Sequence, residues 1–431
     1  MKNILYIILG VFTASTIWAQ QTPGEKQSES IILIGGTAHL GNGEVIQNST
    51  IGFTDGKIDY IGTVVEGNDR QTRYSKKIDA TGKHIYPGFI VMNSTLGINE
   101  IGAVRATNDN REVGYLNPSV RSIIAYNTDS RVIPTIRSQG ILLAQIVPQG
   151  GAIPGQSSIV HLDAWNWEDA AIKLDDGIHI NWPPFYRRSG WWAEPGPINP
   201  NKEYPNQKRN IKAFMSQASA YAKGNPEVKN LKMESMRGLF DGSKKAYVHV
   251  GGAKATMDAV KTFQSLGITP IVIGGTESYL IADFLKTNNV SVIYESVHSL
   301  PSYQDDDIDQ RFKIPLLLSQ AGVDFSIGMS GYWGQRVLPH HAGHAVSYGL
   351  EYEKAVQALT LNTAKILGID ANYGSLEQGK SATLFISEGD ALDMRTCRLT
   401  HAFIDGRTVD LDNKQKALDR KFRKKYEVRG N

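Results

Sequence analysis

The stretch His84-Ile85-Tyr86-Pro87-Gly88-Phe89-Ile90-Val91-Met92-Asn93-Ser94-Thr95-Leu96-Gly97 decides how the rest of the chain is read. Pro87 and Gly88 break the chain after Ile85-Tyr86. The apolar run Phe89-Ile90-Val91-Met92 is then short enough for an interior strand of a parallel barrel or sheet, covered on both faces. Three small polar residues, Asn93, Ser94 and Thr95, follow it directly. In a barrel of this kind, the C-terminal end of a strand is where a site is built.

Working outward, residues 31–40 and 49–62 are strand-like, and Asp55-Gly56 between β-rich runs predicts a tight hairpin. The same pattern returns at 379–386 and 399–409, so both chain ends, over 30–85 and 371–412, read as strands and turns. Between them, 86–370 has the size of a β/α barrel, for which about 250 residues is usual. Strands are predicted at 141–147, 158–162, 246–250, 270–273, 290–294 and 325–328, which with the opening run makes seven. No eighth strand is legible. Residues 180–210, rich in Pro, Trp and Asn, read as a long surface excursion. Residues 212–240 read as helix broken at Gly224-Asn225-Pro226, and 351–369 as the closing helices.

The 431 residues carry 46 Lys and Arg against 43 Asp and Glu, a formal charge of +3 that gives no electrostatic case for a nucleic-acid or membrane partner. The basic run Arg420-Lys421-Phe422-Arg423-Lys424-Lys425, in a tail over 413–431, reads as the solvated face of a terminal helix. At the other end, Lys2 precedes an uncharged run over 4–18, and Ala19-Gln20-Gln21 offers a cleavage junction. Residues 1–19 therefore read as a cleavable signal peptide, because a membrane span needs about 20 apolar residues. A periplasmic or secreted chain without a membrane span is expected. The single cysteine, Cys397, excludes an internal disulfide and reads as a small buried hydrophobe.

Pro87-Gly88-Phe89-Ile90 resembles the first barrel strand of the amidohydrolase superfamily, a metal-dependent hydrolase fold whose strand continues Asp-x-His-x-His. Residues 351–369 resemble the family's closing helices, 374–380 its entry into a second domain, and 105–182 a secreted imidazolonepropionase-like branch. The resemblance implies an α/β fold, a (β/α)8 TIM-like barrel over 86–370, with a small composite β-sandwich formed by both chain ends. It also implies hydrolysis of carbon–nitrogen bonds other than peptide bonds at a histidine-held divalent metal.

The residues depart from that pattern where the metal would sit. Val91 stands in the Asp position, and Asn93 and Thr95 stand in the histidine positions. His249 matches the strand-five ligand, Gly274 or Gly275 replaces the strand-six histidine, and Ser330 or Met329 replaces the strand-eight Asp. An amide or a hydroxyl is a poor ligand for zinc, so no tightly held metal is expected unless zinc finds a site rebuilt from other residues. The catalytic candidates are His249, Glu277 and His298, with Glu295 a further carboxyl near a strand end. Asn93, Thr95 and Ser330 are candidates for substrate contact, and His340-His341-Ala342-Gly343-His344 reads as packing. Two functions stay open: a hydrolase with an altered site, or a catalytically inactive homologue acting as a binding protein or partner subunit. The expected partner is a small-molecule ligand or substrate, with a second copy or a related hydrolase as further partners.

Overall fold

A computed structural model describes residues 22–64, 69–191, 193–295, 297–303 and 305–426; the expected leader over 1–19 lies outside the described residues. The chain opens with strands β1 (Ile31–His39), β2 (Val45–Thr54), β3 (Lys57–Thr63), β4 (Lys76–Asp79) and β5 (His84–Pro87). The β2–β3 turn has positive φ at both Asp55 (50°) and Gly56 (78°), as a type I′ turn demands.

The central sheet begins with β6 (Phe89–Ser94), β7 (Ile141–Ile146), β8 (Gly155–His161) and β9 (Ala171–Asn181). A two-stranded arm follows, β10 (Tyr186–Trp191) and β11 (Glu194–Pro200), and then β12 (Lys245–Val250), β13 (Ile271–Gly274), β14 (Val292–Tyr294) and β15 (Phe325–Ile327) complete the sheet. Its eight strands lie in the order β15-β14-β13-β12-β9-β8-β7-β6. The sheet curls until its edges meet, where Thr95 N–H donates to the Gly331 carbonyl at 2.8 Å and Ser94 bridges Gly331. Alternation splits the strands between two cores. Val91, Ala144, Ile178, Val248, Val272, Val292 and Ile327 belong to the large cluster that includes the helices. Ile90, Met92, Leu143, Ile159, Tyr247, Ile273 and Ile293 form an inner cluster, joined by Ile366, Leu367 and Ile369 from the helix Leu361–Leu367 and the residues just after it.

The unread eighth strand is β9, whose Lys173, Asp175, Asp176 and His179 hide its apolar residues. One feature differs from a uniformly parallel barrel: β8 runs antiparallel to both β7 and β9. Residues 147–154 are too few for a crossover, which takes a dozen or more, so the chain has to turn straight back. From β12 onward the pairing is parallel throughout, and the helices Ala253–Gln264, Ala282–Thr287 and Gln310–Gln320 make the connections. The predicted excursion over 180–210 is shorter than expected, since β9 extends to Asn181 and the helix Tyr204–Lys223 begins within it.

The last strands, β16 (Leu384–Ser387), β17 (Leu399–Ile404) and β18 (Arg407–Thr408), return to the opening ones, and β16 pairs with β5. Both chain ends thus share one eight-stranded sheet with its own apolar cluster, built on Leu33, Ile51, Phe53, Ile58, Ile85, Leu384 and Phe403. Arg137 and Asp163, both almost fully buried, form an ion pair at 2.7 Å, and Arg407 on β18 donates to the Asp163 carbonyl. This ties the terminal sheet to the barrel.

Candidate functional site

At the C-terminal end of β6 the backbone of Asn93 is left-handed, with φ 57°, a conformation that Asn tolerates better than most residues. It turns the amide so that Asn93 Nδ2 donates to Glu295 Oε1 at 2.9 Å. Glu295 follows β14 and lies partly buried at the mouth of the barrel. Burial pushes its carboxyl up to about 7, and the Asn93 hydrogen bond pulls the other way. On the adjacent strand Gly328 makes room for it. A Cβ there would stand 2.5 Å from Ile293 Cγ2 and 3.8 Å from Glu295 Oε1. The carboxylate thus lies beside the place where a side chain on β15 would project.

On the neighbouring strands β9 and β12, His179 Nδ1 and His249 Nε2 are 2.9 Å apart. Burial drives the His249 imidazole down to about 4 and His179 well below its ordinary value, so both rings are neutral at pH 7. Among the described residues, His179 Nε2 is buried without a partner. Assigning the shared hydrogen to His179 Nδ1 leaves a bare acceptor there instead of an orphaned N–H, which is the cheaper arrangement. His249 then accepts through Nε2 and carries its own hydrogen on Nδ1.

A buried network joins the two pairs. Asp176, 1% exposed, accepts from Ser157 Oγ at 2.6 Å, Tyr247 OH at 2.7 Å and Gln145 Nε2 at 3.1 Å. Gln145 Oε1 accepts the Asn93 N–H at 3.4 Å, while the Tyr247 ring stacks on His179. None of Gln145, Ser157, Asp176, His179 or Tyr247 stands out in the sequence. The one available signal is a run of polar groups at strand positions facing a barrel interior.

The remaining candidates lie as follows. Thr95 is buried at the seam between β6 and the loop after β15, and Ser330 is exposed in that loop. Glu277 Oε2 accepts the Ala253 N–H, so it satisfies the N-terminus of the helix Ala253–Gln264. His298 Nε2 lies 3.0 Å from His344 Nδ1 and its ring packs on His341, which draws His341 and His344 into one aromatic cluster with Phe312. Gly274 and Gly275 both have positive φ, 105° and 56°, so the turn after β13 is a backbone requirement that an imidazole would strain. Cys397 is partly buried, and burial raises its thiol to about 11, away from thiolate chemistry.

A divalent metal does not fit these donors. Catalytic zinc takes three protein ligands, and among the described residues no group of three His, Cys, Asp or Glu side chains is placed to hold an ion. The His249 Nε2 lone pair is already spent on His179. Away from the mouth, a cleft of about 850 Å³ lies at the other ends of the strands, lined by His161, Trp165, Asp169, Tyr373, Asp405 and Arg407 among others.

Residues 230–410 match the family model described as the amidohydrolase family. A 134-residue stretch is 29% identical to imidazolonepropionase of Shewanella frigidimarina (strain NCIMB 400), taking in 30% of this chain and 28% of that protein, well under a third of its length. Among solved structures, an amidohydrolase from Thermotoga maritima MSB8 superposes with a TM-score of 0.75 at 22% identity, over 88% of this chain and 99% of that one. A Xaa-Pro dipeptidase with bound methionine gives 0.55 at 16% identity, over 88% and 100%. Molinate hydrolase gives 0.55 at 15%, over 91% and 96%. At these identities the structures speak for the fold alone. Fold and sequence match point the same way: over residues 230–410 the chain is similar to the amidohydrolase family, and it shares the fold of these structures.

Proposed function

We propose that this chain is a hydrolase of carbon–nitrogen bonds other than peptide bonds, acting on a small amide- or lactam-like molecule at the barrel mouth without a histidine-held metal. The observation that carries this reading is the placement of Asn93, His179, His249 and Glu295 at the C-terminal ends of four strands, where this fold builds its sites. In the family the metal supplies a water acidic enough to attack near neutral pH. Here Asn93, Thr95, Gly274 or Gly275, and Ser330 occupy the ligand places, so this chain's own acid–base groups have to activate the water.

A specific observation favours the second reading, a catalytically inactive homologue acting as a binding protein or partner subunit. At the mouth Asn93 is bonded to Glu295 and His179 to His249, and an open cleft of about 850 Å³ lies elsewhere. Assaying chelator-stripped protein against glutarimide, 2-pyrrolidinone and acetanilide, with products read by mass spectrometry, separates the two. Hydrolysis that survives stripping supports the first reading. Hydrolysis lost on stripping and restored by zinc overturns its metal-free part. Absence of hydrolysis from the whole panel, with a raised melting temperature in the presence of a compound from it, supports the second.

The same proposal takes the terminal sheet as the family's composite β-sandwich, the curled sheet as its (β/α)8 barrel, and residues 1–19 as a leader removed on export to the periplasm or beyond. A mature protein from the native host that retains Met1, by intact mass, would contradict the export.

A further inference from the structure

We propose that Glu295 is the acid–base group of the barrel mouth, with Asn93 as its positioning residue, and that Gly328 is the vacancy on the next strand that lets the carboxylate stand there. This rests on the hydrolase reading given above. Three observations meet at one atom group. The carboxylate is reachable, because Glu295 is only partly buried. It is oriented, because the left-handed turn at Asn93 aims Nδ2 at Oε1, and among the described residues nothing is bonded to Oε2, which is left for a water or substrate. It is given room by Gly328, just past the end of β15, where a Cβ would already stand 3.6 Å from Glu295 Cγ and 3.8 Å from Oε1, so that a longer side chain would press on the carboxylate.

Among the described residues, no charged side chain shifts its proton. Burial and the Asn93 amide are the two influences on its proton, and they leave it poised to take one and return it near neutral pH. Asn93 is itself held from behind, through Gln145 to the buried Asp176.

The step balances without any further reagent. The carboxylate takes a proton from water as the water oxygen bonds to the carbonyl carbon. The resulting carboxylic acid then gives that proton to the nitrogen as the carbon–nitrogen bond breaks. Water is added across the bond, and Glu295 returns to its starting state.

The test has an arm that needs no substrate. A small neutral diazoacetamide esterifies protonated carboxylic acids, and peptide mapping locates the ester. Glu295 is expected to be labelled at pH 6 to 7, when exposed carboxylates are not, with a midpoint near pH 7 in the wild type. The midpoint should move to higher pH in Asn93→Leu, which loses the donor. Labelling that fades around pH 4 to 5 together with the surface carboxylates overturns the proposal, as does an unmoved midpoint in the variant. In the second arm, Glu295→Gln should lower glutarimide hydrolysis by about 100-fold or more, with Glu295→Asp recovering part of it and shifting the pH profile. A wild type that hydrolyses the probe and a Glu295→Gln variant that matches it would overturn this role and leave the hydrolase reading intact. A wild type that hydrolyses nothing overturns the hydrolase reading itself.

Discussion

The two halves of the barrel are built by different rules. From β12 to β15 every pairing is parallel and helices make the connections, and this half lies inside the segment that matches the amidohydrolase family model, residues 230–410. From β6 to β9 the connections are mainly loops, β8 is reversed, and the half lies outside that segment. Each polar pair at the mouth takes one partner from each half: Asn93 with Glu295, and His179 with His249. The buried network does the same, with Gln145, Ser157 and Asp176 from the irregular half and Tyr247 from the regular one. The difference teaches that a scaffold can stay regular on one side while the other is rebuilt, provided that specific polar contacts bind the two.

The contact most able to break that picture is the Arg137–Asp163 pair, which fastens the irregular half to the terminal sheet through Arg407. Asp163→Ala leaves a buried guanidinium without its partner and should cost about 3–5 kcal/mol, read by chemical denaturation. A loss under about 1 kcal/mol would mean that the irregular half is held by its apolar core alone. Next comes the link between the halves. Tyr247→Phe removes a hydrogen bond from buried Asp176 and should cost about 1.5–3 kcal/mol, with the fold retained by circular dichroism. A neutral outcome would remove Tyr247 from the account of how the halves are joined.

The smallest expected effect is one of pH, and it sharpens the contrast at the mouth itself. The Glu295 carboxyl is raised in the folded state to about 7, above the ordinary glutamate value of 4.5, so the folded state holds its proton more tightly than the unfolded state. Its contribution is therefore fully present below about pH 4.5 and is lost as pH rises through about 7. Glu295→Gln should match the wild type below about pH 4.5 and exceed it by about 1–2 kcal/mol at pH 8, a value discounted for partial exposure. The two histidines run the opposite way. Their depressed values mean that stability falls as pH drops from about 6.5 toward 4, and replacing His249 by Asn should flatten that acid limb. If the two titrations read by melting curves show the same sign, the assignment of one raised and one lowered group is wrong.

What the sequence shows of this molecule follows the same divide. The strands from β12 onward are short apolar runs followed by helical patterns or turn glycines, so their places can be read with errors of a residue or two. The placement of β8 is equally legible, but its direction is not, because alternating burial looks the same read either way along a strand. β9 is hidden because Asp176 and His179 face the barrel interior, where an apolar residue would have announced the strand. The individual site residues Asn93, His249 and Glu295 are visible at strand ends, whereas their partners are set by the closure of the sheet. Asn93 meets Glu295 only because the β6 edge curls round to the loop after β15.

We propose that hydrogen-bonded pairs organise the mouth in place of a metal. Elemental analysis of protein purified without chelator and passed over a desalting column tests it most directly, with His249→Ala alongside. Well under about 0.1 zinc or other divalent ion per chain is expected in both proteins, since a lone imidazole cannot replace three ligands. About one zinc per chain in the wild type, lost in His249→Ala together with any amide or lactam hydrolysis, would contradict it.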